Sequence, residues 1–184
     1  MRKLLLIGLI GGFAVWVYMV PFGGGLPKLS RIKPGSIMQI TSSNFTNNGD
    51  IPIKFTCMGD NINPDLEFSG IPSDAQSLAL IVDDPDAPSG NFTHWVVFNI
   101  KPSTKTIPEG VGVVPGVQAT NSAGLKQYTG PCPPSGVHRY YFKLYALDIL
   151  LPADEVIDKT YLMQAMAGHV MDQSEILGKF SKTQ

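Results

Sequence analysis

The sequence lacks an excess of charge of either sign. Its 184 residues contain 14 Lys and Arg against 15 Asp and Glu, a formal net charge of −1. A protein that binds the phosphate backbone of nucleic acids needs a basic surface, so this balance argues against a nucleic-acid partner. Hydrophobic residues are not scarce, at 43% of the chain, and this content excludes a wholly disordered protein.

Long uncharged hydrophobic runs are also lacking, except at the N-terminus. Residues 4–20 carry no charge and follow Arg2 and Lys3. A basic flank before an apolar run indicates membrane targeting, with the basic end in the cytoplasm. As a helix rising ~1.5 Å per residue, the run would span about 26 Å, the lower limit for crossing a membrane. Because no A-x-A cleavage motif follows, we expect residues 1–22 to be an uncleaved signal anchor, with a cleaved signal peptide as the alternative.

The N-terminal segment sets the expected organisation and location of the rest. Residues 23–35, rich in Gly, Pro and basic side chains, are predicted to be a linker, and residues 36–184 a single domain. The domain is expected in the cell envelope, held by the anchor, or periplasmic or secreted after cleavage. Cysteine is scarce, and in an exported domain Cys57 and Cys132 are candidates for a disulfide, with two free buried thiols as the alternative.

The domain is predicted to be mostly β. Short runs of β-forming residues stand between turn signals of Asn, Gly, Asp and Pro. The predicted strands are residues 36–41, 53–57, 66–70, 77–84, 94–100 and 138–148. Residues 101–137 hold too much Gly and Pro for regular structure, and a 3.6-residue period predicts one helix from Ala153 to about Asp172. The expected fold is a two-sheet β-sandwich with a helix near the C-terminus.

Polar and stiff residues follow the predicted buried strand 77–84. Asp84 ends the strand, and a proline-rich turn closed by Pro88 follows it. His94 then opens the next strand, and strict alternation of side chains would place it on the same side as Val96. This concentration of polar groups predicts one half of a site at the strand ends.

A second polar stretch precedes and opens the strand 138–148. Gly130 and Pro131 begin a loop stiffened by further prolines, where glycine permits close approach of the backbone to a ligand. Alternation along the strand places His138 and Tyr140 on one face. These residues are predicted to form the other half of the site.

Together the two stretches suit a small anion. Asp84 beside a histidine would raise the pKa of the ring and favour imidazolium. Partly protonated histidines, a tyrosine hydroxyl and free backbone N–H groups bind phosphate or carboxylate. Two alternatives remain. In the first, these polar residues only cap the strand ends and satisfy one another. In the second, Asp83 and Asp86 join Asp84 and the histidines in a metal site.

Both stretches resemble the signature regions of a known family. "DPDAP" at 84–88 and "GPCPPSGVHRY" at 130–140 are similar to those of the phosphatidylethanolamine-binding proteins, also called Raf kinase inhibitor proteins. The resemblance runs from about Ile37 to Phe180, and "FTCMGDNINPDLEFSGIP" and "HWVVFNI" resemble the bacterial Raf-kinase-inhibitor-like branch. It implies an all-β sandwich with an anion pocket at its edge. The residues implied to line the pocket are Asp84, Pro88, His94, Gly130, Pro131, His138 and Tyr140.

The resemblance also implies local details. The Ala87–Pro88 peptide would be cis, as in the family. Arg139, on the opposite face of its strand, would pair with an acid, for which Asp86 is the candidate. The segment between DPDAP and His94 is shorter than in the animal proteins, and their long C-terminal helix is missing. Headgroup preference and kinase binding are therefore not carried over, and the resemblance implies no metal and no cofactor.

The leading functional interpretation is a non-enzymatic binding protein for a phosphate-type small molecule or lipid headgroup. In this interpretation the protein regulates a partner, which is a kinase or a protease. One alternative is a hydrolase that uses Asp84 and His138. The sequence has no G-x-S-x-G elbow for it, and Ser135 is the candidate nucleophile. The other alternative is a small-anion or metal-binding envelope protein, or a purely structural one. Outside the pocket, His169 is interpreted as a structural histidine of the predicted helix, and Glu175 as its solvated end.

Overall fold

The computed structural model describes residues 37–155 and 157–182. The predicted membrane-targeting segment, residues 1–22, and the predicted linker, residues 23–35, lie outside the described residues, and both stay predictions. Within the described part of the chain, no helix is long and apolar enough to cross a membrane.

The described residues form nine strands, one short 3-10 helix and one α-helix. The strands are β1 (Gln39–Thr41), β2 (Gly49–Asp50), β3 (Leu66–Ser69), β4 (Ser77–Asp84), β5 (Phe92–Ile100), β6 (Thr106–Ile107), β7 (Val117–Gln118), β8 (His138–Leu147) and β9 (Val170–Phe180). The helices are the 3-10 helix Ile53–Phe55 and α1 (Lys159–Met166). The strand predicted at 77–84 has the same bounds in the structure, and the region predicted to be mostly loop holds only β6 and β7.

The strands form two sheets. The smaller sheet has the order β1-β3-β6, and the larger has the order β2-β9-β8-β4-β5-β7. Neighbouring strands are antiparallel, except for the parallel pair of β2 with β9. The predicted two-sheet β-sandwich with one helix near the C-terminus is confirmed.

The larger sheet is covered on both faces. Side chains of the two sheets interdigitate in the main core, which includes Ile40, Leu66, Phe68, Leu80, Val82, Phe142 and Leu144. A second core lies on the other face under α1 and includes Ala79, Ile81, Val96, Phe98, Leu162 and Met166. Strand β4 is therefore buried at every position. A strand with both faces covered reads as a continuous apolar run, which explains the five apolar residues 78–82.

The C-terminal region differs from the predicted helix 153–172. Helix α1 begins after Asp158, whose side chain accepts hydrogen bonds from the N–H groups of Thr160 and Tyr161. Soon after its end, Gly168 adopts a left-handed conformation with φ of 82°, which redirects the chain. The following residues form β9, which pairs with β8 along nearly its whole length. This ladder on a buried strand outweighs the local 3.6-residue period, so the predicted helix is too long.

The predictions that His169 lies on the helix and that Glu175 lies at its end are wrong for the same reason. His169 lies in the turn before β9, where its Nδ1 is 2.8 Å from Asp148 Oδ1 and its side chain is 41% exposed. Glu175 lies in β9, opposite Lys143 of β8. Neither residue is part of a helix.

The prediction of a strand at residues 53–57 is also wrong, because this segment forms a turn. Residues Ile53–Phe55 form the 3-10 helix, and Phe55 N–H donates to the carbonyl of Pro52 at 3.0 Å. The Thr56 hydroxyl donates to the carbonyl of Ile53 at 2.8 Å and closes the turn. Phe55 is buried in the main core, so one apolar anchor holds the turn against the sandwich. A five-residue window of β-forming side chains did not reveal this local hydrogen bonding.

Close packing between β9 and the segment after β2 gives the first prediction. A Cβ at Gly178 would lie 2.4 Å from Ile51 Cγ1 and 3.0 Å from Phe45 Cε2, and both of these side chains are buried. Gly178→Ala is therefore expected to lower the free energy of unfolding by about 1–3 kcal/mol, measured by urea denaturation. Gly112→Ala is the matched control, since a Cβ there meets nothing within 4 Å. Equal stability of the two variants would contradict the packing argument.

Candidate functional site

The end of β4 and the start of β8 meet because the two strands are antiparallel neighbours. Asp84, the last residue of β4, and His138, the first residue of β8, both point towards the main-core face. His138 Nδ1 lies 2.7 Å from Asp84 Oδ2, and the side chains are only 8% and 5% exposed. The other carboxylate oxygen of Asp84 accepts from the backbone N–H of Asp86 at 2.8 Å. Asp84 thus holds the orientation of the His138 ring.

His94 reaches the same site through an irregularity in β5. The pairing of β4 with β5 shifts register between Val82 and Asp83, which face Trp95 and Thr93, so His94 is the extra residue of a bulge. Its ring centroid lies 5.2 Å from that of Tyr140. Strict alternation had placed His94 with Val96, whose side chain belongs to the opposite core. That side assignment is wrong, and the bulge is the physical reason.

The hydrogen bonding of His94 defines which ring nitrogen is free. Nδ1 lies 2.6 Å from the carbonyl oxygen of Thr129, which can only accept, so Nδ1 carries the hydrogen. Burial lowers the pKa of His94, although the Thr129 carbonyl and the charges of Asp84 and Asp83 act in the opposite direction. The direction of this shift disfavours the partly charged ring expected for His94. Its Nε2 is buried and has no hydrogen-bond partner among the described residues.

Tyr140 provides the second free polar atom. Its hydroxyl is buried and lies close enough to the Asp84 carboxylate to interact with it, but it makes no hydrogen bond of normal distance and angle with any described residue. Burial raises the pKa of Tyr140, and the charges of Asp84 and Asp86 act in the same direction, so the phenol keeps its proton. The ring packs edge-on to His94 and lies 6.5 Å from the His138 ring at an interplanar angle of 24°. His94 Nε2 and the Tyr140 hydroxyl are thus one acceptor and one donor from neighbouring rings.

The loop with Gly130 and Pro131 is fastened to the segment after the 3-10 helix. Gly130 N–H donates to Asn61 Oδ1 at 2.7 Å, and the carbonyl of Pro131 accepts from Cys57 N–H at 3.1 Å. Cys57 and Cys132 form a disulfide with a Cα–Cα distance of 5.4 Å. Of the two alternatives that the sequence left open, a disulfide or two free buried thiols, the structure therefore has the disulfide.

Gly130 therefore has a different role from the one expected. Its N–H group is already bonded to Asn61 and is not a free donor for an anion. A Cβ at this position would lie 2.5 Å from the carbonyl oxygen of Phe55 and 2.9 Å from Thr56 Cα. The glycine therefore permits close approach of this loop to the backbone of Phe55 and Thr56. The contact of Gly130 with a ligand stays a prediction.

Asn121 and Thr129 support the site, and sequence reasoning missed both. The Asn121 side-chain amide donates to the carbonyl of His94 at 3.1 Å and to Thr129 Oγ1 at 2.9 Å. Its Oδ1 accepts from the backbone N–H groups of Ala123 and Leu125. Thr129 N–H in turn donates to the His94 carbonyl at 3.0 Å. The Asn-Ser-Ala-Gly run signals a turn, but its contact with His94 is visible only in the folded chain.

Arg139 and Asp86 form the pair that the sequence predicted. The guanidinium Nε and Nη2 donate to the two carboxylate oxygens at 2.9 and 2.7 Å, and the backbone N–H of Arg139 donates at 3.0 Å. The Arg139 hydrogen bond is the main reason why the pKa of Asp86 falls from 3.8 to about 2. The pair joins the turn after β4 to the outer face of β8.

The turn after β4 differs from the expected one in its peptide geometry. The Ala87–Pro88 peptide is trans, so the prediction of a cis bond is wrong. The turn is closed instead by hydrogen bonds, from Gly90 N–H to the Ala87 carbonyl and from Asp86 N–H to Asp84. Pro88 is exposed on this turn, and its contact with a ligand stays a prediction.

The carboxylates considered for a metal site are engaged elsewhere. Asp83 points to the opposite face of the sheet, where Lys159 Nζ lies 2.7 and 2.8 Å from its oxygens. Asp86 is held by Arg139. In the described part of the chain, no group of three or more His, Cys, Asp or Glu side chains is arranged to hold a metal ion.

Comparisons with known proteins agree with this geometry. The family model for phosphatidylethanolamine-binding protein matches residues 41–181. A UPF0098 protein of Methanothermobacter thermautotrophicus is 46% identical over 150 residues, which cover 79% of this chain and 99% of the relative. A UPF0098 protein of Chlamydia muridarum is 45% identical over the same length, with the same coverage of both chains.

Solved structures give the same result. A phosphatidylethanolamine-binding protein homologue from Chlamydia trachomatis has a TM-score of 0.77 and 42% identity, covering 80% of this chain and 99% of that chain. Escherichia coli YbcL has a TM-score of 0.72 and 28% identity, covering 78% and 98% of the two chains. A two-sheet sandwich with polar residues gathered at its strand ends defines a class of ligand-binding domain. Within that class, this chain belongs to the phosphatidylethanolamine-binding protein family.

The Asp86–Arg139 pair gives a prediction about pH. Because the pKa of Asp86 is lowered to about 2 in the folded protein, the pair stabilises the fold above the unfolded-state pKa of about 4, and this stabilisation is lost as the pH falls towards 2. Asp86→Asn is therefore expected to destabilise the protein near neutral pH and progressively less below about pH 4.

Urea unfolding of the parent protein and the variant across this pH range measures the difference. Asp154→Asn, at an exposed turn position, is the control for a general loss of negative charge. A difference between parent and Asp86→Asn that stays constant down to the acid limit would contradict the assignment of the low pKa to this carboxyl.

Proposed function

We propose that this chain is a non-enzymatic binding protein whose pocket holds a small phosphate-type anion between Asp84, His94, His138 and Tyr140. The observation that carries the proposal is a pair of buried polar atoms, His94 Nε2 and the Tyr140 hydroxyl, for which residues 37–155 and 157–182 supply no well-formed hydrogen bond. Buried polar groups in folded proteins are almost always hydrogen-bonded, so two such atoms on adjacent rings call for a ligand. The Tyr140 hydroxyl can donate to an oxyanion, and the Asp84–His138 pair borders it.

The surrounding structure supports binding by a preorganised site. The Thr129 carbonyl holds His94, the Asp84 carboxylate holds His138, and the disulfide holds the 130–132 loop. Little side-chain freedom remains to be lost when a ligand enters, which favours affinity. Ser135, the candidate nucleophile of the hydrolase alternative, is exposed in its loop. This arrangement favours binding over hydrolysis.

Phosphate and phosphoethanolamine are the probes that test the proposal. Isothermal titration of the purified full chain is expected to show saturable binding. His138→Ala is expected to weaken it by about tenfold or more, because loss of the ring leaves the buried Asp84 carboxylate without its partner beside the anion. Tighter binding of phosphoethanolamine would indicate a headgroup ligand, and equal binding would indicate recognition of the phosphate alone.

His169→Ala is the matched control, since this histidine also contacts an aspartate but lies in the turn before β9. Thermal unfolding of each variant establishes that it is folded. No binding by the parent chain, or unchanged binding by His138→Ala, would contradict the proposal. Release of ethanolamine during the titration would favour the hydrolase alternative.

The proposal extends to an exported domain in the cell envelope. Two features support export: the apolar N-terminal run and the Cys57–Cys132 disulfide, because structural disulfides persist in oxidising compartments. A kinase or protease partner rests on the family resemblance alone. If such a partner engages the pocket, phosphate should compete with it for binding.

Export gives a prediction about the cysteines in the cell. Both are expected to be oxidised in acid-quenched cells, so that an alkylating label reacts with Cys57 and Cys132 only after reduction. Mass spectrometry of the labelled chain measures this, with the Cys57→Ser/Cys132→Ser double variant as the unlabelled control. Labelling of both thiols without reduction would place the domain in a reducing compartment.

A further inference from the structure

We propose that the pocket selects oxyanions that carry a proton, such as hydrogen phosphate, over fully ionised ones such as sulfate, and that His94 is the residue that makes this selection. The inference rests on the proposed function, because it specifies the chemistry of the ligand in that pocket.

The tautomer of His94 is the first step. The carbonyl oxygen of Thr129 accepts the Nδ1 hydrogen at 2.6 Å, and this carbonyl is fixed by the reciprocal bond from Thr129 N–H to the His94 carbonyl. A neutral ring with its hydrogen on Nδ1 presents a lone pair at Nε2. That atom can accept a hydrogen bond from a ligand but cannot donate one.

The surroundings keep the ring neutral. His94 is 4% exposed, so a charge on it would be poorly hydrated. The charged or titratable groups near it are Asp84, His138 and Tyr140 on the same face of the sheet, and Asp83 on the opposite face. Asp84 already binds His138, and Asp83 is already paired with Lys159 across the sheet, so neither carboxylate is available as a direct partner for His94. The lowered pKa of His94 agrees with this geometry.

The free acceptor and the free donor then act as a selective pair. A hydrogen phosphate can donate its P–O–H to His94 Nε2 and accept from the Tyr140 hydroxyl through an ionised oxygen. Sulfate has the same shape but no proton near neutral pH, so its oxygen would face the Nε2 lone pair with no hydrogen between them. A site that leaves a buried polar group unpaired rejects such an analogue strongly.

Titration of the purified full chain with inorganic phosphate and with sodium sulfate tests the inference. Near pH 7 the affinity for phosphate is expected to exceed that for sulfate by at least about tenfold. His94→Gln, whose amide can donate as well as accept, is expected to bring the ratio close to one while both anions still bind. On acidification, protonation of His94 is expected to strengthen sulfate binding by the parent chain, because Nε2 then becomes a donor.

The outcomes separate this inference from the proposed function. No binding of phosphate overturns both, whereas equal binding of phosphate and sulfate by the parent chain overturns the selection and leaves the anion pocket standing. A phosphate preference that persists unchanged in His94→Gln would assign the selection to charge or to another residue, and would overturn the role of His94.

A measurement on the parent chain alone guards against a variant that does not fold. The ¹⁵N chemical shift of His94 Nε2, read from long-range ¹H–¹⁵N spectra near pH 7, is expected to be that of an unprotonated nitrogen. On addition of phosphate it should move in the direction of an accepted hydrogen bond. A protonated Nε2 in the free protein would overturn the inference.

Discussion

The antiparallel pairing of β4 with β8 is the contact on which the rest of this structure depends. Both strands lie in the middle of the larger sheet, and their apolar side chains fill the core between the two sheets. Antiparallel pairing brings the carboxyl end of β4 to the amino end of β8, so Asp84 and His138 must meet at one edge. The hydrophobic effect fixes the register, because a slip of one residue would turn every core side chain to the wrong face.

Around this edge, the remaining parts of the pocket are placed by local devices that break regular structure. A bulge in β5 turns His94 towards Tyr140, and a disulfide with two hydrogen bonds holds the 130–132 loop against the turn after Phe55. Asn121 joins a third loop to the backbone of His94. The last two contacts fix loops beside the strand residues Asp84, His94, His138 and Tyr140.

The electrostatic character of the pocket follows from which contacts are already made. Asp84 is hydrogen-bonded to His138, Asp86 is paired with Arg139, and Asp83 is paired with Lys159, so each of these carboxylates has a partner. The two buried atoms that lack a well-formed hydrogen bond within the described part of the chain belong to an imidazole ring and a phenol. In the binding proposed for this pocket, donors and acceptors would select the ligand more than its net charge, since a charge is costly to desolvate in a buried site.

The amino-acid sequence by itself determined the sandwich, the strand β4 with its bounds, and the identity of the polar residues at the strand ends. These features depend on alternation, on apolar content and on motif spacing, all of which are local in the chain. The tertiary structure alone decided that residues 170–180 form a strand, that His94 faces the pocket, that Gly130 donates to Asn61, and that Cys57 bonds to Cys132. The physical reason is common to all four, because each results from contact between segments distant in sequence, whose energies outweigh the local preferences that a sequence displays.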